Sequence, residues 1–404
     1  MTSSPQPETL FSADALNFRP SAIRAFSHLL NDPRVISLAG GAPSPETFPA
    51  ERLAEIAGGV IRENRAISLQ YGPTLGLPRL RASIASIAAA RGIPCGPENV
   101  LVTTGSQQAL HLLATALLDA GDVVLVELPT YVGALSAFHG RRAGLAGVRQ
   151  DEEGIVPDDL AAVIARVRRE GKRAKFLYTI PNFQNPSGRL LAARRRAAVL
   201  EIAAREGVLV IEDDPYGELV FDEAAARETT PIAAAAGSLD HVVYLGSFSK
   251  VLAPGLRCGF IVASPGVLQK AQLAKEAADL CSGMLDQSIV DAYCAAGELP
   301  AQIARVRDFY RARSRVLLGA LEEHFAGRAQ WTDARGGLFT FLTVAEDVDA
   351  KALVPAAIEA GVAYVPGEAF FVDGSGRNTM RLTFAKEPDD RMREGVRRLA
   401  SVVP

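Results

Sequence analysis

The apolar positions of the chain follow two rhythms. From 99 to 263, short unbroken apolar runs alternate with longer amphipathic stretches. The runs are NVLVTTG (99–105), DVVLVELP (122–129), AKFLYTIP (174–181), VLVIEDD (208–214), HVVYLGS (241–247) and CGFIVA (258–263). Runs of this length without polar alternation predict strands buried on both faces. Between them, SQQALHLLATALLDA (106–120), PDDLAAVIARVRREG (157–171) and AARRRAAVLEIAAREG (192–207) predict helices. The alternation predicts an α/β fold with a mainly parallel sheet and right-handed crossovers.

The ends of the chain read differently. Residues 1–20 are polar and aperiodic, the pattern of an arm, and SAIRAFSHLLN (21–31) reads as a short amphipathic helix. RVISLAGG (34–41) predicts a strand entering a glycine turn, and PAERLAEIAGGVIRE (49–63) a helix with Pro49 at its first position. From about 265 the pattern lengthens into helices, clearest at 267–281 and 300–325. The second carries many charges at i, i+4 spacing. Shorter elements follow Trp331 and end in TMRLTFA (379–385) and PDDRMREGVRRLASVV (388–403). The change of rhythm near 290–300 predicts a domain boundary. The ARRRA run (193–197) reads as a solvated helix face.

Composition narrows the function. With 404 residues, the chain is long enough for two or three domains. A net charge of −3 gives no general attraction to nucleic acid or to an anionic membrane. The apolar runs are too short to span a membrane, and the first residues lack a signal pattern. The four cysteines have no C-x-x-C spacing, and the five histidines are scattered, so no metal site is expected. These features together predict a cytoplasmic protein.

The polar residues worth attention follow the predicted strands, where open α/β sheets bind ligands. Gly105, Ser106 and Gln107 open a helix and suit a phosphate, although Ser106 also reads as a plain N-cap. In EDDPYGEL, Asp213 and Tyr216 are three apart on a turn with Pro215, so both can face one ligand. A carboxylate at a buried strand end needs a cation, unless it only opens the turn. Asn185, before Pro186, is held out of the helical region and can present its amide. Tyr131 reads either as cover for a flat ligand or as core. Lys250 lies in LGSFSKVLAPGLRCGF with Ser247, Ser249 and Arg257 around it. It is either a surface lysine on a turn or an amine desolvated to act as a nucleophile. Together these groups specify a planar ring with a phosphate, an aldehyde and a ring nitrogen, which is pyridoxal 5′-phosphate.

The ordered set TTGSQQAL, QNPSG, EDDPYGEL and GSFSKVLAPGLRCGF closely resembles the fold-type I pyridoxal-phosphate aminotransferases of class I. Within them it looks like the branch of 2-aminoadipate, kynurenine and aromatic aminotransferases. The resemblance runs from SAIRAF to NTMRLTF. It implies a large cofactor-binding domain (49–290) and a smaller α+β domain built from both chain ends (1–48 and 291–404). It implies that Lys250 condenses with the cofactor aldehyde and then shuttles the Cα proton. Asp213 pairs with the pyridine nitrogen, and Tyr216 and Asn185 bind the phenolic oxygen. Tyr131 stacks on the ring, while Ser106, Gln107, Ser247, Ser249 and Arg257 hold the phosphate. Tyr71 reaches the phosphate of a neighbouring subunit, which implies a homodimer with shared active sites. Arg381 clamps the substrate carboxylate and Gly40 lines the substrate pocket. Arg24 matches an arginine that holds an acidic side chain, or it is an exposed helix arginine. Ser187 stands where the family often has threonine. The activity implied is transfer of an amino group between an L-amino acid and a 2-oxo acid by a ping-pong mechanism. Two alternatives stay open: a lyase or decarboxylase on the same cofactor, and a non-catalytic ligand sensor. The sensor form carries a helix-turn-helix domain ahead of this fold, for which about 20 residues before the first expected helix are too few.

Overall fold

The computed structural model describes residues 10–18 and 34–404. The helix expected at 21–31, and Arg24 with it, lie outside them. The strands are Ile36–Ser37 (β1), Val100–Thr104 (β2), Val123–Leu128 (β3), Gly144–Asp151 (β4), Gly154–Ile155 (β5), Ala174–Thr179 (β6), Leu209–Asp213 (β7), Val242–Ser247 (β8) and Cys258–Val262 (β9). The C-terminal part adds Gln330–Trp331 (β10), Phe339–Thr343 (β11), Val362–Ala363 (β12), Val365–Pro366 (β13) and Thr379–Thr383 (β14).

The large sheet has the order β2-β9-β8-β7-β6-β3-β4-β5. Strands β8, β7, β6, β3 and β4 run parallel. β9 runs antiparallel to both β2 and β8, so β2 shares the common direction. The six expected strands of the alternating region are all present. The apolar run of β9 could not reveal its reversed direction, because a strand buried on both faces reads the same either way. β4 escaped the pattern because it is partly exposed and opens on Gly144, with Gly147 inside it.

The helices between the strands follow their end signals. Pro157–Arg169 starts on a proline with Asp158 and Asp159 in its first turn and ends on three arginines, as the helix dipole favours. Its buried Leu160, Val163, Ile164 and Val167 form one stripe at i, i+3, i+4, i+7. In the helix Ala193–Arg205 the solvated-face reading fails at Arg196, which is 2% exposed. Its guanidinium is consumed by Leu191 O, Thr230 O and Asn182 Oδ1. A short loop folded back over the helix start supplies carbonyls that composition alone does not announce.

The remaining strands form smaller sheets. β10, β11, β14 and β13 form an antiparallel sheet, with Phe341 opposite Arg381. β1 pairs in parallel with β12, so residues near the start of the chain join its last third. The helix Leu299–Phe325 packs against the terminal helix Asp389–Val402.

Candidate active site

Five of the six strands of common direction, β2, β3, β6, β7 and β8, carry the site residues at their carboxyl ends, on one edge of the sheet. The loops leaving them deliver Ser106 and Gln107, Tyr131, Asn185, Asp213 with Tyr216, and Lys250. Because β9 is reversed, Arg257, at its amino end, arrives at the same edge. The small sheet adds Arg381 from β14. The result is a cavity of about 520 Å³ lined by these residues together with Ser247, Ser249, Gly41, Ala42, Ile180, Pro215 and Pro254.

Asp213 is 3% exposed at the end of β7. Its Oδ2 accepts a hydrogen bond from Tyr178 Oη at 2.8 Å. Its Oδ1 is buried with no partner among the described residues. Burial pushes the carboxyl up to about 7 against the pull of the Tyr178 bond, and Asp214 adds to the rise. Asp214 points elsewhere, to Arg91 Nη1 at 2.6 Å and the Gly217 amide at 2.9 Å, so the two carboxylates divide their work.

Lys250 is partly buried, and its Nζ donates to Gly41 O at 3.1 Å. Burial pushes the ammonium down to about 8, and the charges of Arg381 and Arg257 push the same way. Among the described residues no carboxylate opposes them. The amine is therefore set for chemistry rather than for a salt bridge.

At the far end of the cavity the backbone turns at Gly105, where φ is 75°. A Cβ there would lie 2.4 Å from Arg257 Nη2, so only glycine lets the guanidinium seat against the turn. Gly259 passes under the same turn, where a Cβ would lie 2.8 Å from Gly105 C. The helix Ser106–Leu117 starts here, and Ser106 Oγ is buried without a partner. Ser247 Oγ accepts from the Ser249 amide at 3.1 Å. Gln107 is tethered by its side chain to Gly133 O at 2.8 Å, which leaves its backbone amide at the helix start.

Arg381 is 2% exposed, with its guanidinium 4.4 Å from the Phe339 ring centroid and 5.1 Å from that of Phe370. Nη1 donates to Asn185 Oδ1 and Nη2 to Ala39 O, both at 2.8 Å, while Nε has no partner. Burial lowers its pKa to about 10, which leaves it charged at neutral pH. Burial raises the Tyr216 phenol, opposed by the Arg381 charge and the Asn185 hydrogen bond.

Two expected residues stand apart from the cavity wall. Its neighbour Gly41, not Gly40, lines the cavity. Tyr71 is 80% exposed and does not reach the cavity of its own chain. Two residues that sequence reasoning passed over prove central. Tyr178 sits in the apolar run of β6, and a lone phenol there was the available signal. Glu127, at the end of β3, is buried and takes hydrogen bonds from Thr179 Oγ1, the Ile180 amide and Gln184 Nε2. It pins the loop that carries Asn185, and burial pushes it up to about 7.

The donor set fits pyridoxal 5′-phosphate. The orphaned Asp213 Oδ1 meets the need of a protonated ring nitrogen. The orphaned Ser106 hydroxyl, the helix start and Arg257 meet the need of a phosphate. Lys250 lines the same cavity for the aldehyde. A lysine, an acidic partner and an anion cradle on an open α/β sheet define a pyridoxal-phosphate enzyme of fold type I.

Comparison with known proteins refines this. The family model "Aminotransferase class I and II" matches residues 33–399. The aromatic-amino-acid aminotransferase 1 of Thermococcus litoralis is 41% identical, covering 98% of this chain and 94% of that protein. Pyrococcus horikoshii kynurenine aminotransferase, solved in complex with PMP, superposes with a TM-score of 0.92 at 38% identity over 98% of this chain and 97% of that one. The alpha-aminoadipate aminotransferase of Thermus thermophilus, solved with N-(5′-phosphopyridoxyl)-L-leucine, gives 0.90 at 40% identity over 99% and 98%. The chain belongs to the class I and II aminotransferases, and its cofactor is pyridoxal 5′-phosphate. It is a transferase that moves amino groups.

Proposed function

We propose that the cavity at the sheet edge performs both halves of a ping-pong transamination, with Lys250, Asp213 and Tyr216 as its catalytic residues. The observation that carries this reading is the pairing of a depressed lysine amine with a buried, unpartnered carboxylate oxygen in one cavity. When bound, pyridoxal 5′-phosphate supplies an aldehyde for the amine and a ring that accepts the electron pair released at Cα. Asp213 Oδ1 holds a proton on the ring nitrogen. Tyr178 keeps that carboxylate turned to the ring by occupying Oδ2. Tyr216 and Asn185 donate to the phenolic oxygen, and Tyr131 covers the ring face. Ser106, Gln107, Ser247, Ser249 and Arg257 hold the phosphate.

Arg381 binds the substrate α-carboxylate. The two phenylalanine rings fix the plane of its fork, and Asn185 fixes its rotation. With the cofactor bound, Lys250 Nζ would accept the Cα proton and hold it for redelivery. An amine lowered to about 8 is neutral in a far larger fraction near neutral pH than an ordinary lysine, so it accepts that proton more readily. Arg381→Lys removes the planar fork. It is expected to raise KM for every amino donor by roughly 10- to 100-fold, 1.4 kcal/mol being tenfold. Steady-state kinetics with a fluorimetric cofactor titration checks this, since cofactor affinity should stay unchanged.

The donor is an acidic or aromatic L-amino acid, as the names of the relatives suggest, and Arg24 is the residue to hold an acidic side chain. The working form is a homodimer in which Tyr71 reaches the partner's phosphate. The exposure of Tyr71 with its chain neighbours Leu69 and Ile67 supports a covered surface there. Residues 1–48 and 291–404 form the smaller domain and 49–290 the larger one, a reading supported by the β1–β12 pairing. The protein works in the cytoplasm, which suits four cysteines that all remain free thiols. No helix among the described residues is long and apolar enough to cross a membrane.

The test is the visible spectrum of the purified protein during addition of L-glutamate or L-2-aminoadipate without an acceptor. Replacement of the visible band by the shorter-wavelength pyridoxamine form is expected. A band that stays fixed with acidic donors and shifts with aromatic ones would reassign Arg24. A lyase would release product without that conversion, and a sensor would bind without turnover.

A further inference from the structure

Lys275 has no exposed side-chain surface. It lies on the helix Pro265–Asp279, outside the cavity wall. A buried ammonium is costly unless every hydrogen is used. Here Nζ donates to Gln108 Oε1 at 2.9 Å and to Asp279 Oδ1 and Oδ2 at 2.8 and 2.9 Å. A buried ion pair is a weak source of stability, since apolar residues of similar volume often do as well. Its geometric consequence is more specific.

Gln108 passes the constraint onward. Its Oε1 also accepts from the Thr104 amide at 2.7 Å, and its Nε2 donates to Asp279 Oδ2 at 2.5 Å. The Gln108 amide is thereby locked in both orientation and position. Thr104 is then held at three points. Its amide meets Gln108, its hydroxyl lies 3.1 Å from Ser282 Oγ, and its carbonyl accepts from Arg257 Nη2 at 3.3 Å. The next residue is Gly105, whose strained turn seats Arg257 and leads into Ser106.

We propose that Lys275 is a positioning residue for the phosphate anchor. Acting through Gln108, it fixes the Thr103–Thr104 peptide, the one that leads into the Gly105 turn. Ser106, the first turn of its helix and Arg257 then present their donors in one geometry. The inference rests on the reading of that loop as the phosphate site.

The test compares pyridoxal 5′-phosphate with pyridoxal, which has the same ring and aldehyde but no phosphate. Dissociation constants of both are measured on the apoprotein by absorbance, for the wild type, Lys275→Met and Gln108→Met. Both variants should bind pyridoxal 5′-phosphate about 10- to 100-fold more weakly, the range found for outer residues that orient an ion's ligands. Pyridoxal affinity should change by less than about twofold, because the relay acts only on the phosphate. Gln108→Met leaves the Lys275–Asp279 pair intact, so it carries the test if Lys275→Met does not fold. Equal losses for both ligands would make Lys275 merely structural and overturn the proposal, as would unchanged affinities for both. A wild type with no preference for the phosphorylated form would overturn the phosphate-site reading itself.

Discussion

Lys250→Ala should abolish transamination while the fold and the bound cofactor persist. The turnover loss is expected at roughly 10⁴-fold or more, the upper end of what one positioned general base contributes. Among the described residues no other lysine lines the cavity. The phosphate cradle and Asp213 do not hydrogen-bond to Lys250, so cofactor binding should survive. Borohydride should fix the cofactor covalently to the wild type and not to the variant. The apoprotein gives a second readout. Unfolded, this amine keeps its proton up to a pH near 10.5, but in the fold only to about 8. Between those values the unfolded chain binds more protons, so this group makes stability rise with pH. The alanine variant should lack that rise and be at least as stable near pH 7. Single-turnover kinetics and thermal melts at pH 7 and 10 check both statements. Near-wild-type turnover would overturn the assignment of Lys250.

The residues that could be read in the sequence share a physical cause. They follow apolar runs, and a polar side chain just past a buried strand end stands out against its surroundings. Ser106, Asn185, Asp213 and Lys250 have this signature, Arg257 stands just before an apolar run instead, and all five line one cavity. Tyr178 does not, because a phenol inside a strand looks like core until its hydroxyl is seen to meet Asp213. Lys275 was hidden for the opposite reason. It sits in a helix rich in polar residues, QKAQLAKEAAD, where one more lysine reads as solvent-facing. Arg196 was misread on the same ground. Only tertiary packing distinguishes a buried charge from an exposed one on an amphipathic helix. The reversal of β9 was equally silent, yet it is what carries Arg257 to the working edge of the sheet.

Asp213→Asn should separate the electronic role of the carboxylate from its role in shape. The amide keeps the volume and still accepts from Tyr178 through its oxygen. At the former Oδ1 it offers N–H, so it can no longer hold a proton on the ring nitrogen. Turnover should fall roughly 10²- to 10³-fold, the usual effect of losing one preorganised electrostatic partner. Cofactor affinity should fall by less, since the phosphate cradle is untouched. The apoprotein again supplies an independent check. The Asp213 carboxyl is raised from an ordinary 3.8 to about 7 in the fold. Between those values the folded state binds more protons than the unfolded one, so this group lowers stability as pH rises. Asparagine removes that penalty. Apo Asp213→Asn should therefore melt at a higher temperature than apo wild type at pH 7.5, with the gap closing toward pH 4. Glu127 and Glu212 are also raised to about 7 and titrate in both proteins, so the difference between the two melting curves isolates Asp213. Adding pyridoxal 5′-phosphate should reverse the order, because only the wild-type carboxylate gains a cationic partner from it. A variant that turns over normally would mean that the ring nitrogen works without Asp213. A melting gap that does not change with pH would mean that the buried carboxyl is not raised in the fold.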